Sequence, residues 1–141
     1  MTVPLVQLIT DLPVPVRLKA GSTDGAVAAI VEDSRLVSPG RLFVARPGRT
    51  ADGRRFVSAA VEAGAVAVLT DDQEGQGGQA NPPAGVAHLI TEDVPAAAAH
   101  LAERFHGEPS QALRMLGVTG TNGKTTVATM AHQLLNAGEI H

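Results

Sequence analysis

Strand-like and helix-like runs alternate along most of this chain, which predicts an α/β fold. Three observations carry that expectation. Short apolar runs rich in Val, Ile and Leu recur at 26–33, 41–45, 65–70 and 86–91. Between or after them lie two stretches with helical spacing and end signals, 52–64 and 93–107. Near the end, "LGVTGTNGKTTVATM" (116–130) sets a glycine-rich turn between an apolar run and a helix-like run.

The first 25 residues carry mixed signals and support no assignment. "AVAAIVED" (26–33) has the pattern of a buried strand, and the turn-rich "SRLVSPG" joins it to a second, "RLFVA" (41–45). In "DGRRFVSAAVEAG", Asp52 suits an N-cap, Phe56, Ala59, Ala60 and Ala63 repeat at helical spacing, and Gly64 suits the stop. "AVAVLT" (65–70) is strand-like, and 71–85, with Asp71, Asp72 and Glu74, reads as a solvated surface loop. "VAHLIT" (86–91) returns to strand. Asp93 then caps a helix whose apolar face is Ala97, Ala98, Leu101, Ala102 and Phe105, ended by Gly107. "EPSQ" (108–111) reads as a hinge. Beyond it a strand over "ALRMLGV" is expected to enter the glycine-rich loop. Lys124 to Ala137 is expected to be helical, with Val127, Met130, Ala131, Leu134 and Leu135 on one face and Gly138 as its stop. One strand with one helix leaves such a face partly exposed and the strand without neighbours. The organisation expected is a unit over 1–110 and the beginning of a second over 111–141.

Composition narrows the function. The chain has 141 residues, 44% hydrophobic and 18% charged, which is globular rather than disordered. A net charge of −3 gives no global attraction for nucleic acid, and three Phe without Tyr or Trp supply no stacking platform. The absence of cysteine excludes disulfides, thiolate metal sites and cysteine nucleophiles. The amino terminus lacks a basic region and is broken by prolines, and no apolar stretch approaches the roughly 18 residues needed to span a bilayer. A cytoplasmic protein without membrane or nucleic-acid partners is the expectation.

Two stretches carry chemistry. A glycine-rich turn that opens a helix with Gly-Lys-Thr-Thr meets the physical needs of a triphosphate site. Glycines let phosphate approach the backbone, and the helix-start N–H groups and dipole attract anions. Lys124 reaches toward β and γ phosphates, and the Thr125 hydroxyl suits Mg²⁺. The loop is a shortened variant, because Val118 stands where the usual pattern has its first glycine. The second stretch is arginine-rich: residues 35–55 hold Arg35, Arg41, Arg46, Arg49, Arg54 and Arg55 against Asp52 alone, a local charge of +5. Its alternatives are an anion site, suited to arginine's planar fork, or a solvated face. The five histidines, among them His88, show no metal-ligand spacing and read as surface or helix-face residues. Ser34 lacks the frame of a nucleophile.

Together, "EDSRLVSPGRLFVARPGRTADGRRF…AVEAGAVAVL", "FHGEPS" and "LGVTGTNGKTT" resemble the amino-terminal part of the Mur ligases, most of all the MurE type. The resemblance runs from about residue 26 to the end, in order and spacing. It implies a mixed-sheet α/β domain that holds the UDP end of UDP-N-acetylmuramoyl-L-alanyl-D-glutamate through Glu32, Ser34, Arg49, Thr50 and Ala51. The first strand, P-loop and helix of a central ATPase domain would follow. There Gly120, Thr121, Asn122, Gly123, Lys124, Thr125 and Thr126 would bind ATP, with Lys124 catalytic and Thr125 on Mg²⁺. The implied activity is an ATP-dependent amide ligation of peptidoglycan synthesis, serving cell wall, cell shape and cell division. It joins a diamino acid to the D-glutamate side chain through an acyl phosphate. Arg49 stands where many relatives carry a histidine or another polar residue. Under the resemblance the chain reads as a truncated product or one half of a split enzyme, inactive until a second chain completes it. The alternatives are a MurF-type fragment and a non-catalytic module that binds a UDP-sugar peptide.

Overall fold

The computed structural model describes residues 1–48, 52–71 and 85–137. The chain divides into two compact units, Met1–Pro109 and Ser110–His141.

The first unit is built on a five-stranded sheet of order β2–β7–β6–β5–β4, with β2 at Arg17–Ala20, β4 at Ala29–Val31, β5 at Arg41–Val44, β6 at Ala67–Asp71 and β7 at Ala87–Thr91. Strands β4 to β7 are parallel and adjacent in chain order, while β2 runs antiparallel along β7, so the sheet is mixed. Two short strands, β1 (Val3–Pro4) and β3 (Ala26–Val27), pair antiparallel beside it, and α1 (Leu5–Ile9) lies between them in sequence.

The period of two in a strand sends alternate side chains to opposite faces, and both faces are covered. Leu42, Val44, Ala67, Leu69, Ala87 and Leu89 point to one face, packed with Leu5 and Leu8 of α1 and with Val94, Ala97, Leu101 and Phe105 of α3 (Val94–Phe105). Phe43, Ala45 and Val68 point to the other, under Val57 and Ala60 of α2 (Val57–Glu62). With one aromatic ring in that second cluster, small residues fill the rest, and each fully buried Leu, Val or Phe contributes about 1.5–3 kcal/mol.

The caps follow local chemistry. The Asp93 carboxylate accepts from the Ala96 N–H at 2.9 Å, starting α3 where expected. Asp52 accepts from the Arg54 N–H at 3.0 Å, but what it caps is a 3-10 turn, Gly53–Phe56, that passes into α2. The expected strand over 26–33 is instead two, because Ala26–Val27 pairs with β1 while Ala29–Val31 pairs with β5. Between them the Ala28 N–H turns to the Gly40 carbonyl at 2.7 Å.

The second unit holds α5 (Lys124–Ala137), as its spacing predicts, preceded by one helical turn, α4 (Pro109–Ala112), at the place read as a hinge. The strand expected over 112–118 does not form: residues 113–120 join neither helix nor β-ladder. A strand needs a partner for its N–H and C=O groups, and no described residue pairs with this run. Leu113, Met115 and Leu116 are exposed accordingly, as are Val127, Met130, Leu134 and Leu135 along α5.

Candidate functional site

Parallel sheets place binding residues beyond the carboxyl ends of their strands. Here β4 and β5 end beside a cavity of about 490 Å³ lined by Glu32, Asp33, Ser34, Arg35, Arg46, Gly53 and Phe56. Glu32 and Ser34, expected from the sequence, both border it. Arg49, Thr50 and Ala51 lie outside the described residues.

Asp33 starts a 3-10 turn, Ser34–Leu36, by accepting from the Arg35 N–H at 3.0 Å, and its carboxylate also takes Arg35 Nη2 at 2.6 Å. Side-chain and then backbone bonds from Arg35 hold the Asp33 carboxyl down to about 2, and the same contact raises Arg35. Across the cavity Arg46 Nη1 lies 3.3 Å from Glu32 Oε2, with both side chains half exposed. Exposed pairs of this kind are worth at most about 1 kcal/mol, so Arg46 can change partners at little cost.

Arg54 differs. Its Nη2 lies 2.7 Å from Asp52 Oδ2 and its Nη1 3.3 Å from Asp71 Oδ1, and the three side chains are 13%, 21% and 15% exposed. The guanidinium keeps the Asp52 carboxyl below the usual carboxylate range and is itself raised. Asp71, read from sequence as part of a solvated loop, is the last residue of β6 and a partner of this ion triad. Three arginines of the strongly positive window, Arg35, Arg46 and Arg54, are therefore paired with acids. Glu32 and Asp33 stand just before it in sequence, and Asp71 meets it only in space.

Gly53 fits because nothing larger would. Its N–H donates to the Arg46 carbonyl at 3.0 Å, and a Cβ there would lie 2.7 Å from the Arg46 backbone N and O. His88, expected on a surface or helix face, is buried in β7, with Nε2 2.9 Å from Thr70 Oγ1 and Nδ1 without a partner among the described residues. Burial, then Lys19, pushes it below its ordinary value.

In the second unit Gly120 and Gly123 have φ of +147° and +76°, conformations open to glycine, so the turn reverses without strain. Lys124 Nζ donates to the Gly120 carbonyl at 2.6 Å and lies 3.5 Å from that of Thr121. The helical ladder starts with Val127 N–H on Gly123 O at 2.9 Å, which leaves the N–H groups ahead of it outside the ladder. Thr121, Asn122, Thr125 and Thr126 are exposed around this turn. The donor set fits a nucleotide phosphate: one ammonium, helix-start amides and a hydroxyl. Among the described residues no group of three or more His, Cys, Asp or Glu gathers to hold a metal.

The family described as Mur ligase family, catalytic domain, matches residues 26–106. The chain belongs to the Mur ligase family. Among similar Mur ligases, the UDP-N-acetylmuramoyl-L-alanyl-D-glutamate–2,6-diaminopimelate ligase of Chlorobium phaeobacteroides is 44% identical over 94% of this chain, which covers 25% of that protein. The ligase of the same name from Chlamydia muridarum is 40% identical over 93% of the chain, again covering 25% of the relative. This chain thus spans about a quarter of the length of these Mur ligases. A solved ligase bearing that name superposes with a TM-score of 0.68 at 26% identity, over 97% of this chain and 26% of its own. Crystal structure I of MurF from Acinetobacter baumannii superposes at 0.63 and 22% identity, over 97% of this chain and 28% of its own, a likeness of fold.

Arg35 and Arg46 belong to the arginine cluster noted in the sequence, but their pairing with Asp33 and Glu32 was not foreseen, nor were Gly53 and Phe56 as walls. The Asp-x-Arg spacing, repeated at 33–35 and 52–54, is the signal that points to the two local pairs.

Proposed function

We propose that this chain carries the UDP-sugar site and the ATP loop of a MurE-type ligase, the enzyme that joins a diamino acid to UDP-N-acetylmuramoyl-L-alanyl-D-glutamate in peptidoglycan synthesis. One observation carries the reading: a cavity at the ends of β4 and β5, bordered by the polar side chains of Glu32, Ser34 and Arg46, in a chain 44% identical over nearly its whole length to a ligase of that name. The named relatives favour 2,6-diaminopimelate as the added amino acid. The MurF alternative rests on a likeness of fold.

In this reading the diphosphate displaces Glu32 from Arg46, and Ser34 offers a hydroxyl to the nucleotide, with Arg49, Thr50 and Ala51 completing the site. The Gly120–Thr126 loop takes the ATP phosphates, Lys124 moving its ammonium from the Gly120 carbonyl to phosphate oxygen. Thr125 would ligate Mg²⁺, which Mur ligases use with ATP in general and which neutralises charge on the transferred group. The D-glutamate carboxylate would attack the γ-phosphorus of ATP, releasing ADP and forming an acyl phosphate, and the diamino acid's amine would then displace inorganic phosphate, losing a proton, to form the amide. No described helix is long and apolar enough to cross a membrane, in keeping with a cytoplasmic nucleotide-sugar enzyme. Ligation is assigned to a polypeptide of the relatives' length, whether the rest is continuous with this chain or separate.

Calorimetric titration with UDP-N-acetylmuramoyl-L-alanyl-D-glutamate tests the reading. Saturable heat is expected, weakened by Arg46→Ala; no heat of binding overturns it.

A further inference from the structure

Arg54 does not line the cavity, yet it is firmly held by two carboxylates. The cavity's far wall is the 3-10 turn Gly53–Phe56, which contributes Gly53 and Phe56. On one side that turn lies flush on the end of β5, through the Gly53 N–H to the Arg46 carbonyl at 3.0 Å. On the other side, among the described residues, the Arg54 side chain ties it to β6. Arg54 grips the turn's own cap, Asp52, with Nε at 2.9 Å and Nη2 at 2.7 Å. It reaches the end of β6 with Nη1 at 3.3 and 3.4 Å from the Asp71 carboxylate oxygens.

Charge decides how this group acts. One guanidinium between two carboxylates makes the triad net −1, and all three side chains are mostly buried. It offers no attraction to a diphosphate and no cheap exchange of partners, unlike Arg46 with its single half-exposed acid. Its influence on a bound anion must pass through the backbone it holds.

We propose that Arg54 is the positioning residue of the nucleotide cavity, tying the Gly53–Phe56 wall to β6 so that Arg46 and Ser34 face a site of fixed width. The proposal rests on the nucleotide reading given above. Without Arg54, Asp52 and Asp71 would be left as facing, partly buried carboxylates that repel and push the turn off β5.

Titration of the 141-residue chain with UDP, well below each variant's thermal midpoint, tests this against a merely structural role. Arg54→Lys keeps the charge but not the two-sided fork, and is expected to weaken UDP binding about tenfold, with Arg54→Ala weaker still. Leu101→Ala opens the core on the opposite face of the sheet and serves as the control. It should lower the midpoint at least as far as Arg54→Lys while leaving UDP affinity within about twofold. Should Arg54→Ala fail to fold, Asp71→Asn reads the same tie and is expected to weaken UDP binding in the same direction. Wild-type affinity in folded Arg54→Lys and Asp71→Asn would overturn the positioning role and leave the nucleotide reading standing. No UDP binding by the unaltered chain would overturn the nucleotide reading, and the proposal with it.

Discussion

The Lys124 ammonium donates a 2.6 Å hydrogen bond to the carbonyl of Gly120, four residues before it. The side chain thus folds back over the glycine-rich turn and holds its charge where the helix-start amides of α5 converge. A phosphate entering there replaces a neutral carbonyl partner by a charged one. Lys124→Met is therefore expected to lower affinity for Mg·ATP by about ten- to a hundredfold, the worth of one charge-assisted bond of ~1.5–3 kcal/mol. The thermal midpoint should not move, because Lys124 is exposed. Competition against a fluorescent ATP analogue measures the first, and differential scanning calorimetry the second.

Gly53 offers a prediction about shape. The missing Cβ leaves room for the Arg46 backbone, 2.7 Å from where that atom would stand, and backbone cannot swing aside as a side-chain tip does. Gly53→Ala should lift the turn from β5, at a cost of about 1–3 kcal/mol in stability. UDP affinity should fall as well, since Gly53 and Arg46 both border the cavity. Urea unfolding and UDP titration on the same preparation report both effects.

His88 makes stability depend on pH in a stated direction. Its Nε2 meets Thr70 Oγ1, whose own proton goes toward the Asp71 carbonyl at 3.1 Å, so the buried Nδ1 is bare in the neutral ring. A second proton would place an unpartnered N–H and a charge in the sheet's interior. Burial, reinforced by Lys19, accordingly lowers the folded-state value below the ordinary 6.5. The unfolded chain then binds more protons than the folded one below that pH, so the contribution is full above about 6.5 and declines as pH falls toward the folded value. Thermal midpoints from pH 7.5 to 5 should fall more steeply in wild type than in His88→Gln, which keeps polarity without titrating. Equal slopes would remove His88 from the account.

The N-cap of α3 is the simplest test of the fold. Asp93 accepts from the Ala96 N–H at 2.9 Å, and five apolar residues of this helix are buried. Asp93→Ala should cost about 1 kcal/mol, and Asp93→Ser only a fraction of that, measured by urea unfolding.

Acid should also loosen the frame of the cavity beside β4 and β5. Asp52 is held below the usual carboxylate range first by the Arg54 side chain, so its stabilising contribution is complete above about 4 and is lost as pH falls through the depressed value. In Arg54→Met, where the largest cause of that depression is absent, the acid limb of the stability profile should flatten in part, as a series of thermal midpoints below pH 4 would record.

What could be read in order along the chain was whatever depends on near neighbours in sequence. The helix 94–105 announces itself through Asp93, its 3.6-residue apolar spacing and Gly107. The glycine-rich turn and α5 do so through Gly-Lys-Thr-Thr, and the strands at 41–44, 67–71 and 87–91 through short β-branched and apolar runs. Caps, turns and amphipathic spacing act over a few residues, so local composition determines them.

Pairing between distant segments decided the rest. The run 26–33 divides at Ala28 because its halves find different partner strands, and "ALRMLGV" forms no strand because among the described residues it finds none. Arg17–Ala20 becomes an antiparallel edge strand only by meeting β7. Likewise Asp71 looked like the start of a solvated loop until β6 carried it to Arg54, seventeen residues earlier in the chain. His88 looked like a surface residue until two parallel strands set it against Thr70. Composition alone determined where arginines crowd together; tertiary structure decided which of them are locked to acids and which hold only a half-exposed partner, because burial and charge pairing are properties of places rather than of positions in a sequence.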